Sequence, residues 1–187
     1  MQENFFRKSW FLAVHGGLIG HPAKAFSSGK KEKGGVLMFE PKRILVPTDF
    51  SKYSDRALKT AVDIAVKYHA KIYLLHVISE VVYQCGIDYC LSDADLEKIE
   101  KFSLKTSTDK LQAEVRRIVK SAGGVDITFD IKRGRPFETI LKEQREKKID
   151  LVVIASHGRT GIMKHLMGSV AEKVLTGAKC PVLLVKA

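Results

Sequence analysis

Two short stretches of this chain carry residues whose types and spacing could hold an anionic ligand. One is Thr48-Asp49-Phe50-Ser51. The other spans residues 156–167 and runs into Gly168 and Ser169. A glycine such as Gly158 lets backbone N–H groups approach an anion closely. A helix opening near Gly168–Ser169 would add unpaired N–H donors and the positive end of its dipole. The dipole contributes about 0.3–1 kcal/mol per charge at an exposed site, so it assists binding without sufficing for it. Arg159, Lys164 and His165 can add positive charge. Each piece also has a plain structural alternative. Gly158 can serve a tight turn, Gly168 can serve close packing or helix initiation, and Asp49 can be a turn residue or a helix cap. Ser169 can cap its helix or offer its hydroxyl to a phosphate.

These stretches need a frame, and the periodicity from Lys42 onward supplies one. Lys42–Pro47, Lys71–Ile78, Asp150–Ala155 and Pro181–Lys186 read as short buried strands, and Asp126–Lys132 alternates as a half-buried one. Between them lie helical patterns. Ser51 caps the first, with Ala57, Leu58, Ala61, Ile64, Ala65 and Tyr68 on its apolar face. Ser92-Asp93-Ala94-Asp95 opens a long one that ends at Ala122-Gly123-Gly124. Pro136 suits the first turn of a third, and Gly168-Ser169 opens the fourth. Near-continuous apolar strands alternating with helices predict a doubly wound α/β fold with a five-stranded parallel sheet covered on both faces. Ligands in such sheets bind beyond the carboxyl ends of the strands, where the winding direction switches. The loops after the first and fourth strands hold the two stretches named above.

The net charge is +11, with 45% hydrophobic and 28% charged residues, as in an ordinary globular protein. No apolar run reaches the roughly 20 residues that a membrane span needs. The basic residues are scattered among Glu and Asp along helices, which favours a solvated surface over a nucleic-acid interface, and no aromatic stacking strip is present. Arg133 and Arg135, flanking Gly134, read as exposed charge or as phosphate contacts. His157 has no partner at metal-ligand spacing and suits a loop hydrogen bond, and His76 inside an apolar strand suits a satisfied core histidine. The cysteines are Cys85, Cys90 and Cys180, an odd count without Cys-x-x-Cys, which fits a reducing cytoplasm.

Residues 1–41 lack the period of the rest and are expected to be unstructured or non-native, with the domain at 42–187. Three readings compete for residues 1–37. Met38 is the true start and Lys33-Gly34-Gly35 reflects a purine-rich leader; or Arg7, Lys8 and the apolar Trp10–Ile19 form a secretory signal; or the segment is a basic tail.

Several fragments, in this order and spacing, resemble the universal stress protein family. They are Pro47-Thr48-Asp49-Phe50-Ser51, Leu75-His76-Val77, Ala155-Ser156-His157-Gly158-Arg159-Thr160-Gly161, Gly168-Ser169-Val170-Ala171-Glu172, and Cys180-Pro181-Val182-Leu183-Leu184-Val185. The resemblance covers residues 42–187. It implies an adenine-nucleotide alpha-hydrolase-like sheet with strand order 3-2-1-4-5. The nucleotide-binding branch of that family has the pattern Gly-x2-Gly-x9-Gly-Ser/Thr. Gly158, Gly168 and Ser169 match it, whereas Ala155 replaces the first glycine. By resemblance, Pro47, Thr48, Asp49 and the backbone around Val77 meet the adenine and ribose. Ala155, Gly158, Arg159, Gly168 and Ser169 meet the ribose or phosphates. The implied ligand is ATP, AMP or ADP, with Mg2+ or Mn2+ carried by the phosphates. The implied assembly is a homodimer through Val182–Val185, at an edge of the sheet.

No Gly-x4-Gly-Lys-Ser/Thr loop, no Gly-x-Gly-x-x-Gly after the first strand and no Gly-x-Ser-x-Gly elbow occurs. No general base stands beside a water site, and no carboxylate pair suits Mg2+. The expectation is therefore a nucleotide-binding regulatory protein in stress response, with at most slow ATP hydrolysis. The alternative is a nucleotide-free stress dimer acting through protein contacts, which Ala155 favours.

Overall fold

The computed structural model describes residues 10–13, 39–80, 92–158 and 167–186. Strand β1 is Trp10–Ala13. Then follow β2 Arg43–Thr48, α1 Lys52–Tyr68, β3 Lys71–Ser79, α2 Asp93–Ser121, β4 Ile127–Gly134, α3 Pro136–Glu146, β5 Leu151–Ala155, α4 Ser169–Gly177 and β6 Val182–Val185. The sheet order is β1-β6-β5-β2-β3-β4. The five strands from Arg43 onward are parallel and run 3-2-1-4-5 when counted from β2, as expected.

Alternation along the strands sorts side chains into two cores. Ile44 and Val46 of β2 join Ile72 and Leu74 of β3 beneath Ala57, Leu58, Ala61, Leu111 and Ile118 of α1 and α2. Leu45 and Leu75 point the other way and pack with Val152, Ile140 and Val174 under α3 and α4. Two buried faces explain why these strands read as continuous apolar runs. The start of β2 is held by Asp150, whose carboxylate accepts the Lys42 and Arg43 N–H groups at 3.0–3.2 Å.

The helix ends follow local chemistry. Ser51 accepts the Ser54 N–H at 3.1 Å, and Ser92 caps α2 through the Asp95 N–H at 3.2 Å. Pro136 stands in the first turn of α3, and Gly124, with φ +91°, makes the turn after α2. The fourth helix differs from one of the two readings of Ser169. Gly168 is its N-cap and makes no side-chain cap bond, so Ser169 is the first helical residue and does not cap.

The edge of the sheet beside β6 also differs from expectation. Trp10–Ala13 pairs antiparallel with β6, in the register Trp10↔Val185 to Ala13↔Val182. β6 is thus not an edge strand of the sheet, contrary to the expectation for Val182–Val185. The physical reason is that an apolar edge leaves a row of unpaired N–H and C=O groups, which a short extended segment of the same chain satisfies.

Candidate functional site

β2 is central, with β3 on one side and β5 on the other. The loops after β2 and β5 lead to helices on opposite faces of the sheet, α1 and α4, so a crevice opens between them beyond the strands' carboxyl ends. The crevice is a cleft of about 440 Å3, within the range typical of small-molecule sites. Its lining combines apolar side chains, Pro47, Leu75, Val77, Pro136, Ile140 and Ile154, with the polar groups and glycines of Asp49, Ser156, His157, Gly158, Gly168 and Ser169.

Of the residues singled out in the sequence, Pro47, Thr48, Asp49, Val77, Ala155, Gly158, Gly168 and Ser169 all line this cleft. Arg159, Lys164 and His165 lie outside the described residues, as do Cys85 and Cys90. Val77 lies past the last β2–β3 partners, Thr48↔His76, while still paired to Lys132 of β4. The β2-facing side of β3 is therefore open toward the cleft at Val77. Arg133 and Arg135 do not join the site. Arg133 pairs with Glu100, and Arg135 with Glu138 at 3.3 Å.

The turn carrying Asp49 is tightly bonded. The Phe50 N–H donates to Thr48 Oγ1 at 3.1 Å, and the Ser51 N–H donates to Asp49 Oδ1 at 3.0 Å. Phe50 has φ +63°, in the left-handed region that costs a non-glycine residue roughly 1–2 kcal/mol. Packing offsets that cost. Its ring lies 4.4 Å from the His76 ring, and Lys110 Nζ stands 5.3 Å from its centroid. His76 Nδ1 donates to the Thr48 carbonyl at 2.9 Å, so the expected core histidine is satisfied there.

The second loop is fixed at both ends. The Ser156 N–H donates to the Val185 carbonyl, and the Gly168 N–H to the Ser156 carbonyl, each at 2.8 Å. The Gly168 amide is thereby engaged within the protein and is not offered to a ligand. The first helical bond of α4 is Glu172 N–H to the Gly168 carbonyl, at 3.0 Å. The amides of Ser169, Val170 and Ala171 therefore precede any intrahelical acceptor, and all three residues line the cleft. His157 Nδ1 sits 2.9 Å from Ser156 Oγ, the loop hydrogen bond expected of it.

Ala155 is the last residue of β5 and 8% exposed. It is not among the described non-glycine residues with positive φ, which are Phe50, His69 and Lys148. Alanine is therefore unstrained in this extended backbone, and only its methyl distinguishes it from glycine.

Behind the Asp49 turn lies a charged cluster that spacing did not reveal. Asp55 on α1 pairs with Arg117 on α2 and with Lys59 at 3.0 Å. Burial alone would raise the Asp55 carboxyl, but hydrogen bonds from Arg117 and Lys59 hold it below the usual range. Glu114 is shifted the opposite way. Burial raises it first, and the Asp55 and Asp49 charges add to this, against a lesser pull from Arg117. Its Oε2 is buried with no hydrogen-bond partner among the described residues. Among the described residues, no group of three or more His, Cys, Asp or Glu could hold a metal ion. No described helix is long and apolar enough to cross a membrane.

A depression of about 160 Å3 lies on the α3 side of the sheet, between Tyr73, Phe129 and Asp130. Glu143, 4% exposed, pairs there with Lys147 at 3.1 Å and Lys132 at 3.8 Å, which internally neutralises its charge.

The family model described as "Universal stress protein family" matches residues 40–186. The chain belongs to that family. It is 34% identical, over 145 residues, to the universal stress protein MJ0531 of Methanocaldococcus jannaschii, a match covering 78% of this chain and 82% of that one. The solved structure of protein MJ0577 superposes with a TM-score of 0.69 at 28% identity, covering 80% of this chain and 98% of that one. A universal stress protein solved in complex with cAMP superposes with a TM-score of 0.54 at 26% identity, covering 79% and 98%.

Proposed function

We propose that this chain binds an adenine nucleotide, ATP or its di- or monophosphate, in the cleft between Asp49 and the start of α4, and that it acts as a regulatory binder in the stress response. The observation that carries the reading is one cleft lined both by apolar side chains, which suit a base, and by Gly158 and the first residues of α4, Ser169–Ala171, whose amides suit phosphate. The family relative solved with cAMP supports an adenine ligand. Asp49 would accept from the ribose hydroxyls, and the open β3 edge at Val77 would meet the base. Ser169, released from capping, would offer its hydroxyl to the phosphates, with Arg159 adding charge. A divalent ion would arrive on the phosphates rather than on a protein carboxylate set.

Isothermal titration with ATP, AMP and GTP tests this. Micromolar ATP or AMP binding, with GTP at least about tenfold weaker, is the expected result. No heat at high micromolar ATP removes the reading and leaves the nucleotide-free alternative. A homodimer through β6 belongs to the same proposal and requires β1 to leave the β6 edge. Light scattering would then show dimer when β1 is displaced, as by removal of residues 1–37, and monomer there would count against the dimer. A cytoplasmic location belongs to the same proposal, since an odd cysteine count without Cys-x-x-Cys suits a reducing compartment.

A further inference from the structure

The Asp49 turn ends in a directional hydrogen-bond chain that runs to Ser54, a buried helix residue at the wall of the cleft. The Phe50 N–H donates to Thr48 Oγ1 at 3.1 Å, so that oxygen is an acceptor there. Ser54 Oγ donates its only proton to the Ser51 carbonyl at 3.0 Å. The 3.2 Å contact between Thr48 Oγ1 and Ser54 Oγ must therefore carry the threonine proton toward Ser54. The order is Phe50 N–H, Thr48 hydroxyl, Ser54 hydroxyl, Ser51 carbonyl, and it closes a loop around Asp49 and Phe50. Thr48 and Ser54 are 6% and 4% exposed, where an unmade hydrogen bond is costly.

We infer that Ser54 is a positioning residue for Asp49: through Thr48 it holds the left-handed Phe50 turn that aims the Asp49 carboxylate into the cleft. In a capping box, the third helical residue reaches back to the amide of the cap. Here Ser54 occupies that place, yet the Ser51 N–H goes instead to Asp49 Oδ1 at 3.0 Å. The turn thus commits one carboxylate oxygen to the backbone and sends the other toward Gly158. Without the Ser54 acceptor, the Thr48 hydroxyl can rotate away, and the strained Phe50 backbone loses the bond that holds it.

The inference rests on the nucleotide reading above, and its test separates the two. Ser54→Ala in the full chain is titrated with ATP, and the Asp49 carboxyl carbon resonance is followed by NMR in the apo protein. The expected results are about tenfold weaker ATP binding and a displaced Asp49 resonance. Thr48→Val, nearly isosteric and broken at the same link, should give the same displacement if Ser54→Ala folds poorly. Wild-type affinity in Ser54→Ala overturns the inference. So does weaker binding with the Asp49 resonance unmoved, because Ser54 would then act by direct contact or by general stability. If the wild type binds no ATP, the nucleotide reading fails, and the resonance alone decides whether Ser54 positions Asp49.

Discussion

Gly158 faces the Asp49 carboxylate so closely that a Cβ built on it would lie 2.7 Å from Asp49 Oδ2. No real Cβ contact is that short, so any larger residue at position 158 must push the carboxylate aside. The loop after β5 and the turn after β2, more than 100 residues apart in sequence, are thus fitted to one another at this point.

Gly158→Ala should therefore weaken ATP binding by at least about tenfold while leaving the fold intact, because a carboxylate can swing where backbone could not. The control is Gly168→Ala. A Cβ there meets the Ser156 carbonyl at 3.4 Å, an ordinary contact, and φ is −64°. Its expected cost is under about 1 kcal/mol of stability, from alanine being a poorer N-cap than glycine, with ATP affinity retained. Titration and thermal melts of the two variants check the contrast.

Ala155→Gly should not rescue or create binding. The backbone at 155 is an ordinary strand, so glycine there relieves no strain and loses about 0.5–1 kcal/mol of strand stability. ATP affinity should change less than about threefold. A large gain would mean that the methyl itself obstructs the ligand.

Asp55 and Glu114 should give opposite pH dependences. The folded Asp55 pKa is lowered, so its stabilising contribution is present above the unfolded value near 3.8 and is lost as pH falls through the folded value. Asp55→Asn is expected to lower the Tm at pH 7, with the deficit shrinking toward pH 3. The folded Glu114 pKa is raised, so its ionisation opposes folding as pH climbs above the unfolded value near 4.5. Glu114→Gln is expected to melt higher than wild type at pH 7, with the gap closing below about pH 4.5. Melts across that range check both signs.

Cys180 should be inert. Burial first, and the nearby Asp150 charge second, push its thiol up to about 12, so almost no thiolate exists at pH 8. Iodoacetamide labelling mapped by mass spectrometry should leave Cys180 unmodified in the folded protein and modify it after denaturation.

How much of this was legible in sequence depends on the range of the physics. The strands and caps were, because an apolar run such as Leu151–Ala155 and a capping serine such as Ser51 or Ser92 are set within a few residues. The cleft was legible too, since parallel winding alone dictates where the loops after β2 and β5 meet. Trp10–Ala13 was not, because its segment is broken by glycine and histidine, and its extended form comes from pairing with β6. The positive φ of Phe50 was hidden as well, since that conformation is imposed by Thr48 and His76 rather than by phenylalanine. The Asp55–Arg117–Glu114 cluster exists only because α1 packs against α2, across 62 residues of sequence. Spacing left open whether Ser169 or Gly168 caps α4, and the cap falls to Gly168.

The most direct test of nucleotide binding in this cleft is an amide NMR titration of the full chain with ATP. Binding there gives saturable shifts concentrated at Asp49, Val77, Gly158 and Ser169–Ala171, and none around Tyr73, Phe129 and Asp130 in the smaller depression. Shifts confined to that depression, or none at millimolar ATP, would contradict it.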